Sequence, residues 1–95
     1  MSKSIMSNER VCHICGTTLD IHKHHVFHGQ GRRKVSEREG CWVYLCAAHH
    51  NMSPNSVHLD KMLDYGLMRE TERRWLEVNN ATVDDFIRIF GANYL

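Results

Sequence analysis

Two pairs of candidate metal ligands constrain this chain more than any other feature of its sequence. Cys12-x-x-Cys15 forms the first pair, and Cys46-x-x-His49 forms the second after 30 intervening residues. Three thiols and one imidazole make a donor set typical of a closed, tetrahedral, structural zinc site. The alternative is a set of scattered buried thiols with an incidental histidine. The spacing favours a structural zinc ion held by Cys12, Cys15, Cys46 and His49.

Chain length strengthens that expectation. The 95 residues suffice for one small domain, which we expect to span 1–95. A domain of this size buries little core and often needs a metal ion to be stable. In a reducing compartment, the cysteines of a short chain are more often metal ligands or free thiols than disulfides. The remaining cysteine, Cys41, precedes an apolar segment and is expected to be a packed thiol.

Hydrophobic patterning predicts an α+β fold in which a β-hairpin precedes helices. Residues 21–27 and 42–46 are rich in β-branched and aromatic side chains, which favours two strands. The intervening segment 29–40 is Gly-rich, basic and polar, which predicts a loop. Apolar side chains then recur at helical spacing over 59–78, where Gly66 is expected to break or bend the helix.

The same patterning divides the domain into three parts. Residues 1–10 predict a flexible lead-in, 11–58 a zinc knuckle with the hairpin core, and 59–95 a set of C-terminal helices. Within the last part, Thr82 followed by Asp85 resembles the start of a capped helix.

Charge and hydropathy limit the partners that suit this chain. Its formal net charge is +1, but residues 1–45 contain seven Lys or Arg against four Asp or Glu, while residues 46–95 contain five against seven. The first half is therefore better suited to a polyanion. No apolar run approaches the ~20 residues needed to span a bilayer, and residues 1–10 lack the apolar core of a secretion signal. We expect a cytoplasmic protein without a membrane partner.

The histidines are concentrated in one part of the chain. All eight lie between positions 13 and 58, and the tandem His24-His25 closes the first predicted strand. Neighbouring residues on a strand point to opposite faces, so these two imidazoles can serve different tasks. A second tandem, His49-His50, follows the second strand. Ordinary surface or core roles are expected for three of the four histidines outside the tandems, His13, His22 and His28.

Four segments of the chain form a recognisable set of motifs: HHVF at 24–27, RRKVSE at 32–37, WVYLCAAHH at 42–50 and VH at 57–58. Together they resemble the HNH, or His-Me finger, endonucleases, especially their short phage-type members. The resemblance covers 12–58 and implies a zinc-stabilised ββα-metal core, in which a helix follows the hairpin. It also implies a hydrolase that cuts DNA phosphodiester bonds with a divalent cation such as Mg²⁺ or Mn²⁺. Phage or prophage DNA processing in a bacterial cytoplasm follows as the expected setting, with a recombination or packaging protein as a potential partner.

The resemblance also implies roles for individual histidines. His24 matches a ligand of the catalytic cation, and His25 matches the general base. A neutral histidine can accept a proton from water, while a metal ion stabilises charge on the phosphate and on the departing 3′ oxygen. His50 matches the next ligand. The family's usual further histidine falls at Pro54, so either His58 takes that role across a turn or a water completes the metal shell.

A second departure from the family concerns its middle Asn, which helps to orient the general base. The matching position holds Cys41, so another group must orient His25. A backbone carbonyl is one candidate, and Ser36 and Asn51 are weaker ones. The opposing interpretation is a degenerate family member that binds DNA without cutting it.

Basic side chains between the strands are predicted to contact DNA phosphates on either side of the cut. These are Arg32, Arg33, Lys34 and Arg38. Phosphate contacts position a duplex but read no sequence. A solvated charged loop explains the segment nearly as well when it is taken alone. Nothing in the chain resembles a sequence-reading module, which predicts low intrinsic sequence specificity.

The leading rival function is a non-catalytic zinc-containing nucleic-acid-binding module. That module needs one metal ion per chain, whereas the endonuclease needs a second, exchangeable ion. A small protein-interaction adaptor is a third interpretation, and it predicts no salt-dependent DNA affinity. A zinc nucleobase deaminase is disfavoured because the H-x-E signature of that class is absent.

Overall fold

The computed structural model describes residues 3–29 and 31–95. They form two paired strands with one α-helix between them in the chain, followed by two more α-helices. The elements in chain order are β1 (Ile21–His25), α1 (Arg32–Glu39), β2 (Trp42–Cys46), a π-helical turn (Ala48–Met52), α2 (Lys61–Asn79) and α3 (Val83–Phe90). The predicted α+β class, with a hairpin and helices, is confirmed. Positions 1, 2 and 30 of the predicted lead-in and loop lie outside the described residues. The single-domain organisation stays a prediction.

The hairpin carries the tandem histidines at the end of its first strand. β1 and β2 pair antiparallel, with Ile21 opposite Cys46 and His24 opposite Val43. Because side chains alternate along a strand, His24 and His25 project from opposite faces of the ribbon. The side chain of His24 is buried, whereas His25 is partly exposed.

The predicted loop 29–40 contains a helix, α1, so the loop prediction is wrong for residues 32–39. The buried side chain of this helix is Ser36, whose hydroxyl donates to Phe27 O at 2.7 Å and accepts from Phe27 N at 3.1 Å. These two bonds attach α1 to the chain that leaves β1. The prediction failed because tertiary hydrogen bonds, rather than an apolar stripe, hold the helix in place.

The predicted lead-in contacts the hairpin and the end of α1 through Ser4 and Ile5, and its flexibility stays a prediction. Ser4 is buried, and its hydroxyl donates to Trp42 O at 2.6 Å. The backbone N–H of Ile5 donates to Gly40 O at 2.9 Å. Gly40 ends α1 with φ 73°, and a β-carbon there would lie 2.4 Å from Lys3 O. Glycine is therefore required where the lead-in crosses the end of α1.

Helix α2 runs through Gly66 without interruption, so the predicted break is wrong. The side chain of Asp60 caps its first turn by accepting hydrogen bonds from two backbone N–H groups. One glycine in a helix costs about 1 kcal/mol. Burial of Leu67 and Trp75 on the inner face of α2 outweighs that cost, because each large apolar side chain gains roughly 1.5–3 kcal/mol.

Helix α3 closes the core against the hairpin. Its predicted start is confirmed, because Thr82 and Asp85 form a reciprocal capping box. Phe86 and Phe90 on its inner face are buried, and the ring of Phe90 lies 4.8 Å from that of Phe27. The core also contains Val26, Cys41, Val43, Leu45 and Trp75. The expected packed thiol at Cys41 is thus confirmed. Among the described residues, no helix has both the length and the apolar character that crossing a membrane requires.

Candidate metal centres

The four residues of the predicted zinc clamp, Cys12, Cys15, Cys46 and His49, lie close enough to hold one metal ion. Their ligand atoms are all within 4.8 Å of one another. Cys15 Sγ is 3.8 Å from Cys46 Sγ, and Cys46 Sγ is 3.3 Å from His49 Nδ1. Two thiolates bound to a tetrahedral zinc ion are also about 3.8 Å apart, given Zn–S bonds near 2.3 Å. The clamp can therefore bind a structural metal ion, as the spacing predicts.

Three separate parts of the chain build the clamp. The first part is the knuckle, residues 11–16, a tight turn in which the backbone N–H of Gly16 donates to Cys12 O at 2.8 Å. It is attached to β2 by His13 N, which donates to Tyr44 O at 2.8 Å. Cys46 is the last residue of β2, and His49 lies in the π-helical turn that follows. A bound ion would thus join the N-terminal knuckle to the end of the hairpin.

One thiol of the clamp is predisposed to ionise. Burial disfavours the thiolate of Cys12, but the backbone N–H groups of Cys46, Cys15 and Ile14 outweigh that effect and lower its pKa to about 6. The thiolate is the form that binds a metal ion. Cys12 therefore needs little proton release to bind metal at neutral pH.

A second group of ligands, the histidine triad, consists of His24, His50 and His58. One nitrogen of each ring lies within 4.8 Å of the other two, and His50 Nε2 is 3.1 Å from His58 Nε2. Two imidazole nitrogens bound about 2.1 Å from one ion are roughly 3.0–3.4 Å apart in octahedral or tetrahedral geometry. His24 Nε2 is buried without a hydrogen-bond partner. A cation would supply the missing partner, so the triad fits a bound metal.

The triad is electrostatically suited to bind a cation. Burial, followed by the neighbouring rings of His50 and His58, lowers the pKa of His24 to about 3. Burial and then His58 also lower the pKa of His50. These imidazoles are therefore neutral at pH 7, which is the form that ligates a metal.

The turn after β2 brings His58 beside His50 despite the proline at position 54. The backbone N–H of His58 donates to His50 O at 3.3 Å, and Val57 N donates to His49 O at 2.8 Å. These bonds fold the segment back on the π-helical turn. The helix expected directly after the zinc ligands is thus a five-residue π-helical turn, and α2 begins only at Lys61.

On the other face of β1, His25 is held by a carboxylate. His25 Nε2 lies 3.0 Å from Glu37 Oε1, which also accepts a hydrogen bond from Lys23 Nζ at 2.6 Å. The bond from Lys23, followed by that from His25, lowers the pKa of Glu37. The ionised carboxylate accepts a hydrogen bond from Nε2–H of His25, and in the neutral ring this leaves Nδ1 as the unprotonated nitrogen. Glu37 was not among the predicted orienting groups, and Ser36 bonds to Phe27 instead.

The predicted ligands of the catalytic cation and the predicted general base, His25, border the same small pocket. It encloses about 150 Å³ and is lined by the triad together with Lys23, His25, His28 and Arg33. His25 reaches this pocket from the opposite face of β1 because it is the last residue of that strand. A larger, open depression of about 550 Å³ lies on α2 among alternating arginines and glutamates. There Arg74 pairs with Glu77 at 3.6 Å, as expected for a solvated helix face.

The predicted phosphate contacts divide into two groups. Arg33 lines the pocket, and Lys34 and Arg38 line a shallow depression that adjoins it at His25. Arg32 differs, because its Nη1 donates to Tyr94 Oη at 3.0 Å. The structure therefore brings three of the four basic side chains beside the general-base candidate.

Two histidines that were assigned ordinary roles also border the triad. His22 Nδ1 is 3.0 Å from His50 Nδ1. His28 lines the pocket, and its Nε2 is 3.1 Å from Asp64 Oδ2 at the start of α2. The spacing of His22 and His24, two residues apart on one strand, was the sequence signal that could have placed His22 on the face of the triad.

Comparison of the chain with protein-family models, with curated proteins and with solved structures gave no match. What the site can do follows from its own donors. The clamp has the donors of a structural metal site, and the triad has those of a second site beside a carboxylate-held imidazole.

Proposed function

We propose that this chain is a metal-dependent DNA endonuclease of the HNH type, built on a zinc-stabilised ββα-metal core. The observation that carries the proposal is the single pocket bordered by three metal-ligating imidazoles and by His25. A metal site beside a candidate base is one arrangement that catalyses phosphodiester hydrolysis. The clamp supports the proposal because it can hold a structural metal ion at a site separate from the triad.

The residues of the pocket divide the chemistry between them. His24, His50 and His58 would hold the divalent ion, which when bound supplies positive charge to the phosphate and to the departing 3′ oxygen. His25 accepts a proton from the attacking water on Nδ1, while Glu37 holds the other ring nitrogen and balances the charge that forms on the ring. The products are a 5′ phosphate and a 3′ hydroxyl.

The donor set favours particular cations. Three imidazoles suit first-row transition ions better than Mg²⁺, which prefers carboxylates and water. We therefore expect Mn²⁺ to support faster cleavage than Mg²⁺. This preference concerns the triad alone, because the thiolates of the clamp select zinc.

Basic side chains near the pocket suit a DNA substrate. Arg33 lines the pocket, and Lys34 and Arg38 line the depression that adjoins it, so a duplex bound at the pocket would have three cations beside its phosphates. Contacts of this kind fix the position of a duplex without reading its bases. Low sequence specificity follows, together with a role in phage or prophage recombination or packaging in which another protein or the DNA structure selects the site.

The test is cleavage of supercoiled plasmid with Mn²⁺ or Mg²⁺. The native protein should convert the plasmid to nicked or linear forms. His25→Ala should be slower by about 10²- to 10⁴-fold, the usual contribution of a general base. A matched control is His13→Gln, which changes an imidazole that contacts Glu70 outside the pocket and should cut like the native protein.

Zinc content is measured for each variant, so that a damaged clamp is recognised. An intact plasmid with native protein and every divalent ion would overturn the proposal. Salt-dependent DNA binding without cleavage would then favour the non-catalytic nucleic-acid-binding module.

A further inference from the structure

The contacts of His50 involve both of its ring nitrogens. Nε2 lies 3.1 Å from His58 Nε2, inside the triad, and Nδ1 lies 3.0 Å from His22 Nδ1 on the opposite side of the ring. The rings of His22 and His50 meet edge to face, with centroids 5.1 Å apart. His22 therefore contacts the ligand His50 from outside the triad.

We propose that His22 is a positioning residue that fixes the orientation and the tautomer of His50 as a metal ligand. This inference rests on the proposed function, because it requires that the triad binds a cation. A neutral imidazole that ligates through Nε2 carries its proton on Nδ1. That proton has one acceptor at hydrogen-bond distance in this contact, the Nδ1 of His22.

The hydrogen bond has a definite direction in this arrangement. His50 Nδ1–H donates and His22 Nδ1 accepts, so His22 carries its own proton on Nε2. An acceptor behind a metal-bound histidine makes the ligand more basic and holds its ring in the ligating orientation. Loss of such a partner usually weakens metal affinity about 10- to 100-fold.

β1 makes this contact possible because His22 and His24 lie two residues apart and project to the same face. His24 supplies a ligand from that face, and His22 supports the ligand that the π-helical turn brings opposite it. One strand face thus provides both a metal ligand and the hydrogen-bond partner of another.

The test measures Mn²⁺ affinity rather than activity, by electron paramagnetic resonance of the free ion. Mn²⁺ is chosen because thiolates bind it poorly, so it reports on the triad while zinc stays in the clamp. His22→Leu and His22→Ala remove the acceptor, and both should weaken Mn²⁺ binding about 10- to 100-fold. His22→Asn places an amide oxygen near the position of Nδ1 and should bind Mn²⁺ almost as tightly as the native protein.

Zinc content and thermal unfolding of the same samples separate a loss of fold from a loss of positioning. His13→Gln serves as the matched control and should bind Mn²⁺ like the native protein. Native affinity in both His22→Leu and His22→Ala would overturn the inference, as would an equal loss in His22→Asn and His22→Ala. Should the native protein bind no Mn²⁺, the triad fails as a metal site, and the proposed function fails with it.

Discussion

Adjacent imidazoles on β1 have opposite environments, and the environment rather than the residue type assigns their tasks. His24 is buried among other histidines, with a pKa near 3 and one nitrogen that lacks a protein partner. His25 is partly exposed and bonds to Glu37 through Nε2. Ligation suits the first of these environments, and proton transfer suits the second.

Removal of the charge on Glu37 should slow cleavage without abolishing DNA binding. In Glu37→Gln, the amide can no longer balance a positive charge on His25, and it can present a donor where an acceptor is needed. We expect kcat to fall by about 10- to 100-fold, less than in His25→Ala, because the base itself remains. KM for DNA and metal content should stay unchanged, as measured in the plasmid assay with Mn²⁺.

Glu70→Gln is the matched control for that experiment, since Glu70 also lies beside a histidine, His13, but away from the pocket. Its cleavage rate should equal the native rate. A native rate in Glu37→Gln would contradict the assignment of Glu37 as the group that orients His25.

Site residues could be predicted from the sequence where the pattern that identifies them is local. The clamp was predictable because each ligand pair is local, with a fixed spacing on a tight turn. The triad members His24, His50 and His58 came from the family resemblance. By contrast, Glu37, His22 and Asp64 acquire their roles only through contacts with distant parts of the chain, which spacing does not encode.

At the scale of elements, α1 shows why a helix can escape prediction. Its eight residues include one large apolar side chain, Val35, so the periodicity that identifies amphipathic helices is missing. Gly31 and Gly40, both with positive φ, lie at its ends, and glycines of this kind also mark loops. Because the segment was assigned to a loop, the position of Glu37 beside His25 could not be foreseen. The hairpin and α3 were predictable, since composition and capping identify both.

Helix α2 contains a buried carboxyl that holds the C-terminal segment by a hydrogen bond. Glu72 is fully buried, and its Oε1 accepts a hydrogen bond from Tyr94 N at 2.7 Å. Burial raises the pKa of this carboxyl above its ordinary 4.5, and the Tyr94 amide offsets only part of the effect. Because the pKa of Glu72 is higher in the folded than in the unfolded chain, its protonated form favours folding. This contribution is complete below the unfolded-state pKa and is lost as pH rises through the folded-state pKa.

Glu72→Gln should therefore gain stability relative to the native protein as pH rises above about 4.5, the ordinary pKa of the carboxyl. The amide oxygen keeps the bond to Tyr94, while no charge has to be buried. Thermal unfolding of both proteins across this pH range gives the difference in Tm, which should become more favourable to the variant at higher pH. A difference in Tm that does not vary with pH would contradict this prediction.

At the scale of the whole molecule, the clamp and the histidine triad are adjacent because each takes one ligand from the same π-helical turn. His49 belongs to the clamp and His50 to the triad, so a metal in the clamp also fixes the turn from which the triad extends. The α+β class followed from hydrophobic patterning, and the assignment of His49 and His50 to different sites followed from ligand spacing and the family resemblance. The π-helical turn that contains both residues was not predicted. Under the proposed function, stability and activity would be coupled through two neighbouring residues.

Loss of one clamp ligand should unfold the molecule at a much lower temperature. Structural zinc contributes about 10 kcal/mol or more of apparent binding free energy in small domains. We expect Cys46→Ser to lose its tightly bound zinc, measured by metal analysis, and to melt well below the native protein. Cys41→Ala is the control, since Cys41 is buried outside the clamp. It should retain zinc at a packing cost of about 1 kcal/mol. Retention of zinc in Cys46→Ser would contradict the assignment.

The register of the hairpin constrains which changes of length evolution can tolerate in this protein. Pairing of Ile21 with Cys46 sets the register in which His24 and His25 project from opposite faces of the ribbon. A frame-preserving insertion or deletion of one codon inside the strand would exchange the faces, so that the base and the ligand would swap environments. An insertion or deletion of two residues would keep each imidazole on its original face but move it by about 7 Å along the strand. The number of residues in this strand therefore matters to the geometry of the site as much as their identity does.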